Sequence, residues 1–111
     1  MNYNPKPFSG LPDLRRMREI VMHSRAAGVP GCWHVGDVVW RHFLMTLRAD
    51  VAQDVQVWED AAGLAVGYAL FDPYNLSCDW QVRPEARWRG LEEAMLAWVQ
   101  ARAEATLAGR P

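Results

Sequence analysis

Arg87, Trp88 and Arg89 stand immediately before Gly90, and an amphipathic run begins at once after that glycine. Two guanidinium groups at the mouth of a helix suit an anion, because first-turn N–H groups have no intrahelical acceptor and the helix dipole adds partial positive charge. The chemistry such a turn would do is to hold a phosphate or diphosphate. Against this stand Glu92 and Glu93, carboxylates in the same first turn. They complement the dipole themselves, contributing about 0.3 to 1 kcal/mol each, so the expected structure is a self-capped helix start in preference to a working phosphate loop. Trp88 between its two arginines would suit stacking on an adenine or contact with a partner chain. Metal chemistry has no matching pattern. His34 and His42 are eight residues apart, about 12 Å along a helix and too far to share one ion. His23, His34 and His42 are expected to be caps or surface residues.

The turn needs a strand ending at Val82 and a helix beginning near Arg89, and the chain supplies both. "LSCDWQVRP" puts Cys78, Trp80 and Val82 on one strand face before Pro84 closes it. From Arg89 to Leu107, Leu91, Met95, Trp98 and Val99 recur at helical spacing, with Gly109 near the end. Upstream, "DVQVWED" alternates Val55 and Val57 against Gln56 and Trp58, "AAG" turns at Gly63, and "LAVGYALFDPY" runs as a longer strand to Asp72-Pro73. These two runs form a predicted β-hairpin. Earlier still, Pro12 opens a helix whose face is Leu14, Met17, Ile20, Val21 and Ser24, stopped at Gly28. A second helix is predicted over Asp37 to Arg48, with Val39, Trp40, Phe43, Leu44 and Leu47 at helical spacing. Pro5 and Pro7 restrict the first segment to a short edge strand or an arm. The order is β-α-α-β-β-β-α, without repeat or linker.

With 111 residues the chain suits one domain, residues 1–111, with one modest core. Positive and negative charges nearly balance, 12 Lys+Arg against 13 Asp+Glu, which argues against bulk nucleic-acid binding and against disorder. Cys32 and Cys78 are well separated, and no secretory core or membrane-spanning apolar run is present. A cytoplasmic protein with two buried or half-buried thiols is expected, a disulfide between them being the other arrangement. Six tryptophans, Trp33, Trp40, Trp58, Trp80, Trp88 and Trp98, are expected to pack mostly in the core or an interface.

This combination resembles the first part of a GNAT-type N-acetyltransferase, a superfamily that moves an acetyl group from acetyl-CoA to an amine. The resemblance rests on "VWEDAAGLAVGYALF", where Trp58, Gly63 and Gly67 match the central hairpin. It rests also on "VRPEARWRGLEEAML", where Val82, Pro84, Arg87 and Gly90 match the acetyl-CoA loop. "WHVGDVVWR" is similar to the second-helix region of some bacterial members, tandem ones included. The resemblance spans nearly the whole chain but about half of the family's fold. It implies an α+β fold: an incomplete GNAT-like layer with a mainly antiparallel sheet of three to four strands and three helices, lacking the C-terminal strand-helix portion.

What the resemblance implies for chemistry follows. In the family a pantetheine arm lies beside the strand before the loop, and the diphosphate sits on the next helix N-terminus. That would make Val82, Arg87, Trp88, Arg89, Gly90 and Leu91 the acetyl-CoA contacts, acetyl-CoA being the cosubstrate. The loop pattern asks for a small residue where this chain has Glu92, which predicts weak binding. Acids near the central strands act as bases in the family, so Glu59, Asp60 and Asp79 are candidates; Asp60 suits a turn better, and Asp79 is retained as the weak catalytic candidate. Tyr68 and Tyr74 are expected in core packing and turn contact instead of acid catalysis. The expected function is an N-terminal GNAT-like domain with little acetyl transfer of its own, completed by a missing C-terminal domain or by homo-oligomerisation. A working enzyme completed by another subunit, and a non-catalytic GNAT-derived binding or dimerisation module, are the alternatives.

Overall fold

The computed structural model describes residues 3–30, 36–38, 40 and 51–110. Strands β1 (Asn4–Pro7), β2 (Val55–Glu59), β3 (Ala65–Asp72) and β4 (Ser77–Val82) form one antiparallel sheet in the order β1-β2-β3-β4. The α+β class, the hairpin and the third strand are as the sequence predicts. Pro5 and Pro7 sit opposite Trp58 and Gln56 on an edge strand, where a missing N–H is tolerated.

Helix α1 (Leu11–Ala26) buries Asp13, Met17, Ile20, Val21 and Ser24, with Leu14 half-buried. It ends in a Schellman arrangement, with Val29 N–H donating to Ser24 O (3.0 Å) and Gly28 N–H to Arg25 O (3.0 Å). Of the helix predicted over Asp37 to Arg48, Asp37, Val38 and Trp40 are helical. The remainder lies outside the described residues. Val38 is fully buried while Trp40 is exposed, against the inward position that its spacing suggested. A short helix α2 (Val51–Asp54) leads into β2, and α3 (Leu91–Ala108) closes the described chain.

Both faces of the sheet are covered. Val55, Val57, Tyr68 and Leu70 pack with Met17, Ile20 and Val21 of α1, while Trp58, Ala69 and Val82 pack with Leu91 and Met95 of α3. Double coverage is why Gln56 and Trp58, alternating away from the valines, are themselves buried. Trp58 meets Trp98 edge-on, with centroids 5.9 Å apart at 89°. At Gly67 a Cβ would lie 3.0 Å from Leu91 Cδ2 and 3.3 Å from Gln81 O, so only a glycine lets α3 seat this close.

Two ionic ties hold the layers together. Arg102 of α3 donates from Nε and Nη2 to Asp54 Oδ1 (3.1 and 2.9 Å). Asp13, 1% exposed, accepts from Lys6 Nζ (2.6 Å), Ser9 N–H (2.8 Å), Ser9 Oγ (3.0 Å) and Arg16 Nη1 (3.2 Å). Arg16 continues to Glu59 Oε2 (2.5 Å) and Gly63 O (2.9 Å). No described helix is long and apolar enough to cross a membrane.

Candidate functional site

The end of β4 is fixed by a bulge. The register between β2 and β3 shifts at Trp58/Glu59, which pair with Gly67 and Ala65 and leave Val66 as the extra residue. Arg83 N–H donates to Val66 O (2.8 Å) and Arg83 Nε to Ala65 O (2.8 Å). This clamp sets the position of a 3₁₀ turn, Pro84–Ala86, absent from the sequence reading. By the alternation of an antiparallel ladder, an inward Arg83 N–H turns the backbone groups of Val82, Trp80 and Cys78 toward the outer edge of β4. No strand among the described residues pairs with that edge.

From Arg87 to Gly90 the chain doubles back through two left-handed residues, Trp88 (φ 63°) and Gly90 (φ 94°). Glycine takes that region freely, which explains Gly90; a tryptophan there is strained by about 1–3 kcal/mol. Trp88 is held in it by Glu92, whose Oε2 accepts the Trp88 N–H at 2.9 Å. Glu92 Oε1 is shut from solvent without a hydrogen-bond partner. Gly90, at the N-cap, contributes no side-chain cap. The self-capped turn expected from the sequence is present, made by Glu92 alone; Glu93 is exposed.

A cavity of about 470 Å³ opens along β4 and this turn, lined by Pro30, Cys78, Asp79, Trp80, Gln81, Val82, Arg87, Trp88 and Glu92. Of the residues assigned by the resemblance to acetyl-CoA or to the base, Asp79, Val82, Arg87 and Trp88 line it. Arg89 does not: it lines a separate cavity with Tyr3, Asp60, Val66 and Glu85. Leu91 is a fully buried core side chain under the sheet, and Gly90 supplies backbone shape. Arg87 has no ion-pair or side-chain hydrogen-bond partner among the described residues. Asp79 and Glu92 line the same cavity, so the walls are not a plain cationic seat.

Among the other candidates, Glu59 is engaged by Arg16. Asp60 Oδ1 caps the hairpin turn, accepting from Ala62 and Leu64 N–H (2.9 and 3.0 Å), as its turn chemistry suggested. Tyr68 is core, and Tyr74 N–H donates to Asp72 Oδ1 in the β3–β4 turn. Two expectations are corrected. Cys78 is an exposed free thiol, because it lies in the first half of β4 ahead of the buried Gln81-Val82 end; Cys32 is outside the described residues. The Cys78 thiol is pushed up by partial burial and by the Asp79 charge. Of the described tryptophans only Trp58 is buried and Trp98 half-buried, whereas Trp40, Trp80 and Trp88 are exposed. His23 Nε2 lies 3.1 Å from Glu85 Oε2, tying α1 to the 3₁₀ turn as a surface contact; His34 and His42 are outside the described residues. Arg83 and the buried Asp13 were not singled out in the sequence, since their roles come from partners remote in the chain. No described cluster of His, Cys, Asp and Glu could hold a metal ion.

No protein-family model matches the sequence, and comparison with curated proteins finds no match. Solved structures do match. A GCN5-related N-acetyltransferase from Sphaerobacter thermophilus aligns over 98% of this chain at 23% identity and a TM-score of 0.69, covering 34% of that protein. A GNAT superfamily phosphinothricin acetyltransferase from Sinorhizobium meliloti, solved with AcCoA, aligns over 95% of this chain at 18% identity and 0.68, covering 61% of its own chain. An N-acetyltransferase from Staphylococcus aureus Mu50 aligns over 95% at 13% identity and 0.64, covering 68%. The chain thus spans about a third and three fifths of the first two. At these identities the likeness is one of fold, and the fold of this chain is that of the GNAT N-acetyltransferases.

Proposed function

We propose that this chain forms the thioester-binding half of an N-acetyltransferase, contributing the outer edge of β4 and the turn before α3 to an acetyl-CoA site while transferring little acetyl by itself. The observation that carries this reading is the cavity that gathers Asp79, Val82, Arg87 and Trp88 along β4 in a fold shared with acetyltransferases. Outward backbone groups of Cys78, Trp80 and Val82 suit the amides of a pantetheine arm, and Arg87 suits a phosphate. The Trp88 N–H does not fit a diphosphate while Glu92 holds it. Asp79 is the base this reading retains, because of the three candidate acids it is the one that lines this cavity.

Calorimetric titration with acetyl-CoA tests it. Binding is expected to be saturable but weak, with a dissociation constant above roughly 100 μM, and to disappear in Arg87→Ala. No saturable heat with millimolar acetyl-CoA would overturn the reading, and a low-micromolar constant would overturn the compromised turn.

A second reading is a GNAT-derived dimerisation module. The outer edge of β4, which no strand among the described residues pairs with, has exposed Trp80 beside it and favours strand pairing with a second copy. Sedimentation should then show concentration-dependent self-association at micromolar levels, suppressed by Trp80→Lys; a monomer throughout removes this reading.

A further inference from the structure

We infer that Glu92 is a selectivity residue: it removes the advantage that a diphosphate would give a thioester in the cavity beside β4, so that pantetheine thioesters without one bind as well. The inference rests on the acyl-thioester reading above and adds that the site gains nothing from a donor's diphosphate.

Three observations meet at this residue. The Trp88 N–H, which would face an anion entering the turn, is already bonded to Glu92 Oε2. The other carboxylate oxygen is buried without a partner, so the side chain presents negative charge that water does not screen at that oxygen. Arg87 lines the same cavity and yet forms no ion pair with Glu92. The guanidinium therefore leaves the carboxylate's charge uncancelled at short range.

A diphosphate approaching this turn meets a fixed like charge and must also break the hydrogen bond that holds Trp88 in its left-handed conformation. A pantetheine arm meets neither obstacle. It is neutral, and its amides address the backbone of β4. Like-charge repulsion near a surface, even after screening, lowers affinity by about tenfold or more. The energy a diphosphate normally adds to CoA binding is thus cancelled here, and the short donor binds as well as the long one.

The test compares S-acetylpantetheine with acetyl-CoA by calorimetry on the wild type, Glu92→Gln and Glu92→Ala, each first checked for an unchanged circular-dichroism spectrum. The wild type should bind the two donors within about threefold of each other. Both variants should bind acetyl-CoA about tenfold or more tightly than the wild type does, with S-acetylpantetheine unmoved. Glu92→Gln retains an oxygen for the Trp88 N–H, so its agreement with Glu92→Ala assigns the effect to charge. A wild type that already prefers acetyl-CoA tenfold, or variants that shift both donors equally, would sink the selectivity role while leaving the thioester site standing. Failure of either donor to bind any of the three proteins would sink both.

Discussion

Replacing Asp13 by Asn removes one charge from a buried site without changing its shape. Four donors converge on that carboxylate within 3.2 Å. Hydrogen bonds to charged groups contribute about 1.5–3 kcal/mol each in favourable cases, and removing one partner of a buried ion pair costs about 3–5 kcal/mol. The full sum does not apply here. Arg16 keeps Glu59 and Gly63 O, and the partly exposed Lys6 turns to water, so the Ser9 N–H and the loss of attraction to two cations dominate. A cost of about 2 kcal/mol follows for Asp13→Asn, and about 3 for Asp13→Ala. Urea unfolding followed by tryptophan fluorescence at pH 7 measures it. The pH dependence adds a check. Burial alone would raise the Asp13 carboxyl, but the bonds from Lys6, Ser9 and Arg16 outweigh it and hold the group below its ordinary value of 3.8. A depressed folded value means that stability is present above the unfolded value and lost as pH falls through the folded one. The difference between wild type and Asp13→Asn should therefore be constant from pH 7 to about 5 and close under stronger acid. A gap under about 0.5 kcal/mol at pH 7, or one that persists unchanged into strong acid, would refute this account of the network.

Gly67→Ala should cost about 1–3 kcal/mol, read as a lowered melting midpoint, because its Cβ meets Leu91 Cδ2 and Gln81 O. In a Leu91→Ala background, itself less stable, the added cost of Gly67→Ala should shrink to the part owed to the Gln81 carbonyl contact. Cys78, exposed but with its thiol raised by burial and Asp79, should react with iodoacetamide at pH 7 more slowly than free cysteine. Asp79→Asn should speed that alkylation; an unchanged rate would show that the charge does not reach the sulfur.

Periodicity is a local property, and what it governs was legible. Met17, Ile20 and Val21 in one helix, Leu91 and Met95 in another, and the alternation around Gly63 place two layers and a hairpin without tertiary information. The cavity was legible only in part, because Arg87 and Arg89 sit two positions apart in one turn and reach different cavities. No spacing rule separates them; the two left-handed residues do, and tryptophan is a poor signal for that conformation. Asp13 reads as an ordinary first-turn acid, and its burial becomes visible only when Lys6, Arg16 and Glu59 are brought together across β1, α1 and β2. Arg83 is equally silent until the bulge presents two carbonyls to it.

The pairing of β1 with β2 has a kinetic corollary. Pro7 pairs with Gln56, so that edge of the sheet closes a loop on the order of 50 residues, while β2, β3 and β4 are joined by short turns. Closing the long loop must be paid in chain entropy before its contacts form, so the meander is expected to assemble first and the N-terminal arm to dock onto it. The same order run backwards makes the arm the first part to open: the Asn4 and Lys6 amides of β1 should exchange with solvent deuterium ahead of those of β3, whose pairing on both sides shields them.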